Sequence, residues 1–219
     1  MPSRFKKPLF EKLKVLFAEA GFDTSNANWK RAVYTLSLGK DMTGVVILDY
    51  RVYYGKLYVE YRFGIAFQEV KRLTLKLFPD DEEISDWFKE KPFDMIIGVT
   101  STEYRSWIDK FLDPCPVIDS EKKLSNFLNE TKKLIPEKIM PYFRDNASIQ
   151  AASRIYRAGP RYAVYSVREV LVHILSEEYD FAESVIREGF LSSRSPSTVA
   201  KGEKLLELVS SLRAGNPMP

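Results

Sequence analysis

The chain has little of the residue types that announce chemistry. Of its 219 residues, one is cysteine (Cys115) and one is histidine (His173). A single cysteine excludes an intramolecular disulfide and a thiolate metal cluster, and a single histidine leaves only an all-oxygen metal site open. Cys115 stands between Pro114 and Pro116. No histidine or helix start is near in sequence to lower its pKa, so it reads as a passive thiol. The 10 glycines are scattered. None falls into G-x-G-x-x-G or G-x-x-x-x-G-K spacing, and Gly39-Lys40 runs straight into Asp41, which removes the phosphate-loop and dinucleotide readings. The G-x-S-x-G elbow of serine hydrolases is missing as well. No apolar run approaches the roughly 18 residues of a membrane span. The basic opening at 1–8 leads into a segment interrupted by Glu11, Lys12 and Lys14, which does not fit a signal peptide. A cytoplasmic protein with no membrane partner, no cofactor and no metal is therefore expected.

Charge of one sign is also lacking. Lys and Arg number 33 against 30 Asp and Glu, a formal net charge of +3. That margin serves solubility and is too small to imply a polyanionic partner. With 45% hydrophobic and 29% charged residues, the composition is that of a folded globular chain.

What is present is pattern. Leu9, Phe10, Leu13, Leu16, Phe17 and Ala20 recur at three and four, predicting an amphipathic helix over 7–20. Gly21 ends it, and Phe22 folds back over the last turn. Strand-like runs follow at 29–38, 44–54 and 56–67. The third alternates most cleanly, with Leu57, Val59, Tyr61, Phe63, Ile65 and Phe67 on one face and Tyr58, Glu60, Arg62 and Gly64 on the other. Short connections at 39–41 and Gly55 predict an antiparallel meander with one buried and one partly wet face, covered by the first helix. Asp80, Asp81, Glu82 and Glu83 open a short helix ending near Lys91, and lack the spacing of a calcium loop. A fourth strand is expected at 93–100, added antiparallel.

From Asp119 the pattern is helical. Leu124, Phe127, Leu128, Thr131, Leu134 and Ile135 form a stripe that Pro136 is expected to close. Short helices follow near 137–143 and 147–156. Ser166 with Glu169 is a capping box opening a helix with Val167, Val170, Leu171, Ile174 and Leu175 inward. His173 falls beside that stripe and is expected at the surface or its boundary. Phe181, Val185 and Ile186 mark another helix. The last begins near Ser197 and buries Leu205, Leu206, Val209 and Leu212. The fold class is thus α+β: a helix packed on a mostly antiparallel sheet of about four strands, followed by a helical C-terminal part. The expected division is an α+β domain at 1–146 and a helical extension at 147–219.

Two groups of residues qualify as binding surfaces. The run 154–168 holds Arg154, Arg157, Arg161 and Arg168 with Tyr156, Tyr162 and Tyr165, a mixture suited to phosphates and bases and equally to protein interfaces. A structural role for these residues weighs most, a protein interface next, and nucleic acid last, given the near-neutral charge. The second group is the wetter sheet face, where Tyr34, Tyr53 and Tyr58 are expected to lie with Arg51 and Arg62.

Several features taken in order carry a resemblance: the helix ending in Gly21-Phe22, then Trp29-Lys30-Arg31, the long antiparallel strands, Ile97 to Val99, Trp107-Ile108-Asp109 and Pro141-Tyr142-Phe143. Over 10–155 the chain resembles a family of small bacterial domains of unknown function, some of which resemble immunity proteins encoded beside toxins. The resemblance implies a protein-binding role and supplies no catalytic residue. The leading expectation is a non-enzymatic protein-binding module, toxin neutralisation being its most concrete form. A nucleic-acid or phosphorylated-ligand binder using Arg154, Arg157, Arg161 and Tyr162 comes second. A hydrolase with an unannounced carboxylate site comes third.

Overall fold

The computed structural model describes residues 4–27, 31–90, 97–100, 116–158 and 166–219. Trp29, Phe93 to Ile96, Trp107, Cys115, Gly159-Pro160, Arg161 and Tyr162 lie outside the described residues. The protein is α+β, with an antiparallel sheet and a helical C-terminal part. It forms two compact units, one of residues 1–66 and 97–146, the other of 67–96 and 147–219. The segment 67–96 thus belongs with the C-terminal helices.

In the first unit, α1 (Lys6–Glu19) buries Leu9, Leu13 and Phe17. Its end is a Schellman turn. Gly21, at φ +87°, takes the left-handed position, and Phe22 N–H donates to Phe17 O at 2.9 Å. The Phe22 ring then meets Phe17 edge-on at 5.2 Å, the apolar contact that accompanies this turn.

The meander follows as β1 (Arg31–Gly39), β2 (Met42–Tyr53) and β3 (Lys56–Phe67). Strand order is β1-β2-β3-β4, where β4 (Ile97–Thr100) pairs antiparallel with β3, and β5 (Val117–Ile118) also pairs antiparallel with β3. Tyr34 stands opposite Val46 and Thr35 opposite Val45. On β3 the expected inward set is buried throughout, from Leu57 to Phe67.

Tyr34 is not on the wetter face. It is fully buried and stacks on Phe17 at 4.1 Å, because its register with Val46 places it on the side that α1 covers. The opposite face is not wet at its centre either, since Val45 and Ile47 are buried there.

Ser120 caps α4 (Glu121–Leu134), accepting from Lys123 N–H at 3.3 Å. From this helix Phe127 stacks on Tyr61 at 5.3 Å. Thr131 donates to Phe127 O at 2.8 Å, which leaves its oxygen to accept from the Tyr61 hydroxyl. Burial raises the pKa of that phenol well above its usual range.

Pro136 does not close the helix. The chain continues through a π-helical turn, Ile135–Ile139, into α5 (Met140–Asn146). Proline has no N–H and would crowd the carbonyl four residues back, and a widened turn removes the conflict without breaking the rod. The continuation delivers Phe143 to the core against Phe22 and Phe63, with centroids 6.2 and 6.4 Å away. Gly44 makes room for it, since a Cβ there would lie 2.6 Å from the Phe143 ring.

The second unit contains α2 (Gln68–Leu77), α3 (Glu82–Glu90), α6 (Ile149–Ala158), α7 (Val167–Leu175), α8 (Tyr179–Val185), a π-helical turn (Ile186–Leu191) and α9 (Pro196–Arg213). Ser166 caps α7 as expected, accepting from Glu169 N–H at 3.1 Å. Helix α7 packs against α2, α6, α8 and α9, so all of Val170 to Ile174 is buried. Asp81 caps α3, accepting from Ile84 N–H at 3.0 Å, and pairs with Lys201 of α9 at 2.7 Å. On α9 the buried residues are Gly202, Leu205, Leu208 and Val209. Leu206 and Leu212 are only half-buried, a rotation of the expected face toward Leu208.

Candidate functional site

The sequence-derived candidates divide between the two units. Tyr53, Tyr58 and Arg62 lie on the β2–β3 hairpin of the first, and Arg154, Arg157 and Arg168 on α6 and α7 of the second.

The hairpin turns through Tyr54-Gly55, with φ of +49° and +75°. Two successive left-handed residues make the tight turn that suits the twist of paired strands, and its first position ordinarily takes Asn, Asp or Gly. A tyrosine there carries about 1–2 kcal/mol of backbone strain. Tyr54 is fully exposed, so no contact with its own chain offsets that strain. Tyr53 is 57% exposed and meets Tyr58 edge-on at 5.8 Å.

Below the tip, Arg51 approaches Glu60 at 3.6 Å, and Arg62 is bonded to Asp49. Arg62 is therefore a paired, half-buried strut and not a free basic group. The tip presents the exposed Tyr53 and Tyr54 with the half-buried Tyr58, beside the exposed Lys56. Sequence reasoning named Tyr53 and Tyr58 but missed Tyr54. The available signal was Tyr-Gly where a tight hairpin favours Asn-Gly.

In the second unit the histidine expected near the surface is fully buried. Ser153 Oγ donates to Glu178 Oε2 at 2.6 Å, which leaves the serine oxygen to accept from His173 Nδ1–H at 2.9 Å. The same ring nitrogen lies 3.1 Å from Glu178 Oε2. Arg157 stands 3.4 Å from Glu178 Oε1 and lies over the Phe181 ring at 4.8 Å. Phe181 meets His173 edge-on at 4.6 Å.

Glu178 is aimed inward by a second Schellman turn. Glu177, at φ +60°, occupies the left-handed position, and Glu178 N–H donates to His173 O at 2.9 Å. Burial pushes the Glu178 carboxyl up, but the Ser153 and His173 hydrogen bonds and the Arg157 charge together hold it below the usual carboxylate range.

Serine, histidine and glutamate meet here without forming a hydrolytic triad. A triad needs the serine on one ring nitrogen and the acid on the other. In this cluster both engage Nδ1, and Ser153 is fully buried. The arrangement ties α6, α7 and the turn into α8 together. Arg157 is part of that tie. Arg154 is exposed on α6 beside the exposed Ile155, while Arg168 is half-buried on α7.

Among the described residues no group of three or more His, Cys, Asp or Glu is placed to hold a metal ion, and no helix is long and apolar enough to cross a membrane. No family model, curated protein or solved structure matches the chain.

Proposed function

We propose that this protein is a non-enzymatic protein-binding module whose principal contact is the β2–β3 hairpin tip. The observation that carries this reading is Tyr54, fully exposed and held at φ +49°. A bulky residue in a strained conformation with no contact of its own does not serve stability. Strain of this kind collects at sites that act on something else. Tyrosine is enriched among the residues that dominate protein interfaces, and its few rotors make it inexpensive to immobilise. The Tyr53–Tyr58 contact pre-orders the neighbouring ring. Neutralisation of a toxin is the concrete form that the resemblance suggests, the tip then occupying the toxin's surface.

The test places a photoreactive benzophenone side chain at position 54, or at position 154 as a control, in the full chain in its own cells. Irradiation should link position 54 to a discrete protein and position 154 to none. Linkage from 154 alone would transfer the interface to the arginine helix and overturn the assignment.

A further inference from the structure

We draw no further inference here: the strongest candidate, the apolar groove of the first unit between α1 and the π-helical turn Ile135–Ile139, lined by Leu16, Ala20, Ile135, Pro136 and Met140, carries nothing because nothing in the structure shows what covers it.

Discussion

His173 and Glu178 are joined twice. The Glu178 N–H donates to the His173 carbonyl at 2.9 Å, and the Glu178 carboxylate lies 3.1 Å from His173 Nδ1. Backbone and side chain thus fix the same turn, and the side-chain half depends on pH. Glu178 has its pKa depressed in the folded state from an ordinary value of 4.5. A depressed acid contributes stability that is fully present above its unfolded pKa and lost as pH falls through the folded one. Glu178→Gln should cost about 2 kcal/mol at pH 7. The gap from wild type should narrow as pH falls below 4.5 and through the depressed folded-state pKa, as measured by urea unfolding across pH. A gap that stays constant from pH 7 to 3 would contradict the account.

Glu177 permits the opposite change. It sits at φ +60° in a position that glycine ordinarily fills. Glu177→Gly should relieve about 1–2 kcal/mol of strain against about 0.5–1 kcal/mol of added chain entropy in the unfolded state. The expected outcome is a small net gain, read as a raised urea midpoint.

Two glycines should resist alanine for reasons of space. A Cβ at Gly202 would lie 2.6 Å from Phe190 Cβ, an atom fixed to the backbone that cannot swing aside. Alanine gains about 1 kcal/mol of helix propensity, but forcing a methyl into packed core costs about 1–3 kcal/mol. Because the obstructing atom is rigid, the cost should win and Gly202→Ala should destabilise. Gly44→Ala should do the same without any helix gain to offset it, since Phe143 is buried and wedged between Phe22 and Phe63. Calorimetry of both variants checks the sign.

Asp81 combines a cap and an ion pair. Asp81→Asn keeps an acceptor for Ile84 N–H and should lose little. Asp81→Ala gives up both the cap and the contact with Lys201, and should cost about 1–2 kcal/mol. Equal losses in the two variants would show that the cap contributes nothing.

Where the sequence was legible, the signal was local and periodic. The alternation from Leu57 to Phe67 gave the buried face of β3, Gly21-Phe22 gave the end of α1, and Ser166 gave the start of α7. The illegible parts depend on distant partners. His173 is buried because four helices pack against α7, which widens its buried face beyond the stripe that the sequence shows. Its partners Ser153 and Glu178 come from the neighbouring α6 and from the turn into α8. Tyr34 went to the core through strand register, which alternation alone does not specify. Pro136 signalled a break, yet a π-helical turn accommodated it. Helix α2 was not anticipated, although Val70, Leu73, Thr74 and Leu77 are spaced by three and four like any amphipathic helix. Of the candidate site, Tyr53 and Tyr58 were visible as strand tyrosines. Tyr54 was missed although Tyr-Gly stands where Asn-Gly is usual, and its backbone angle of +49° made it evident.

The measurement that bears most directly on the central claim is Tyr54→Asn, because it separates folding from docking. Asparagine suits the left-handed turn position, so the account predicts a chain more stable by about 1 kcal/mol, seen as a higher melting temperature, that nevertheless no longer retains its partner protein. A variant that is stabilised and still binds as the wild type does would show that the strained tyrosine is not the contact, and would contradict the account.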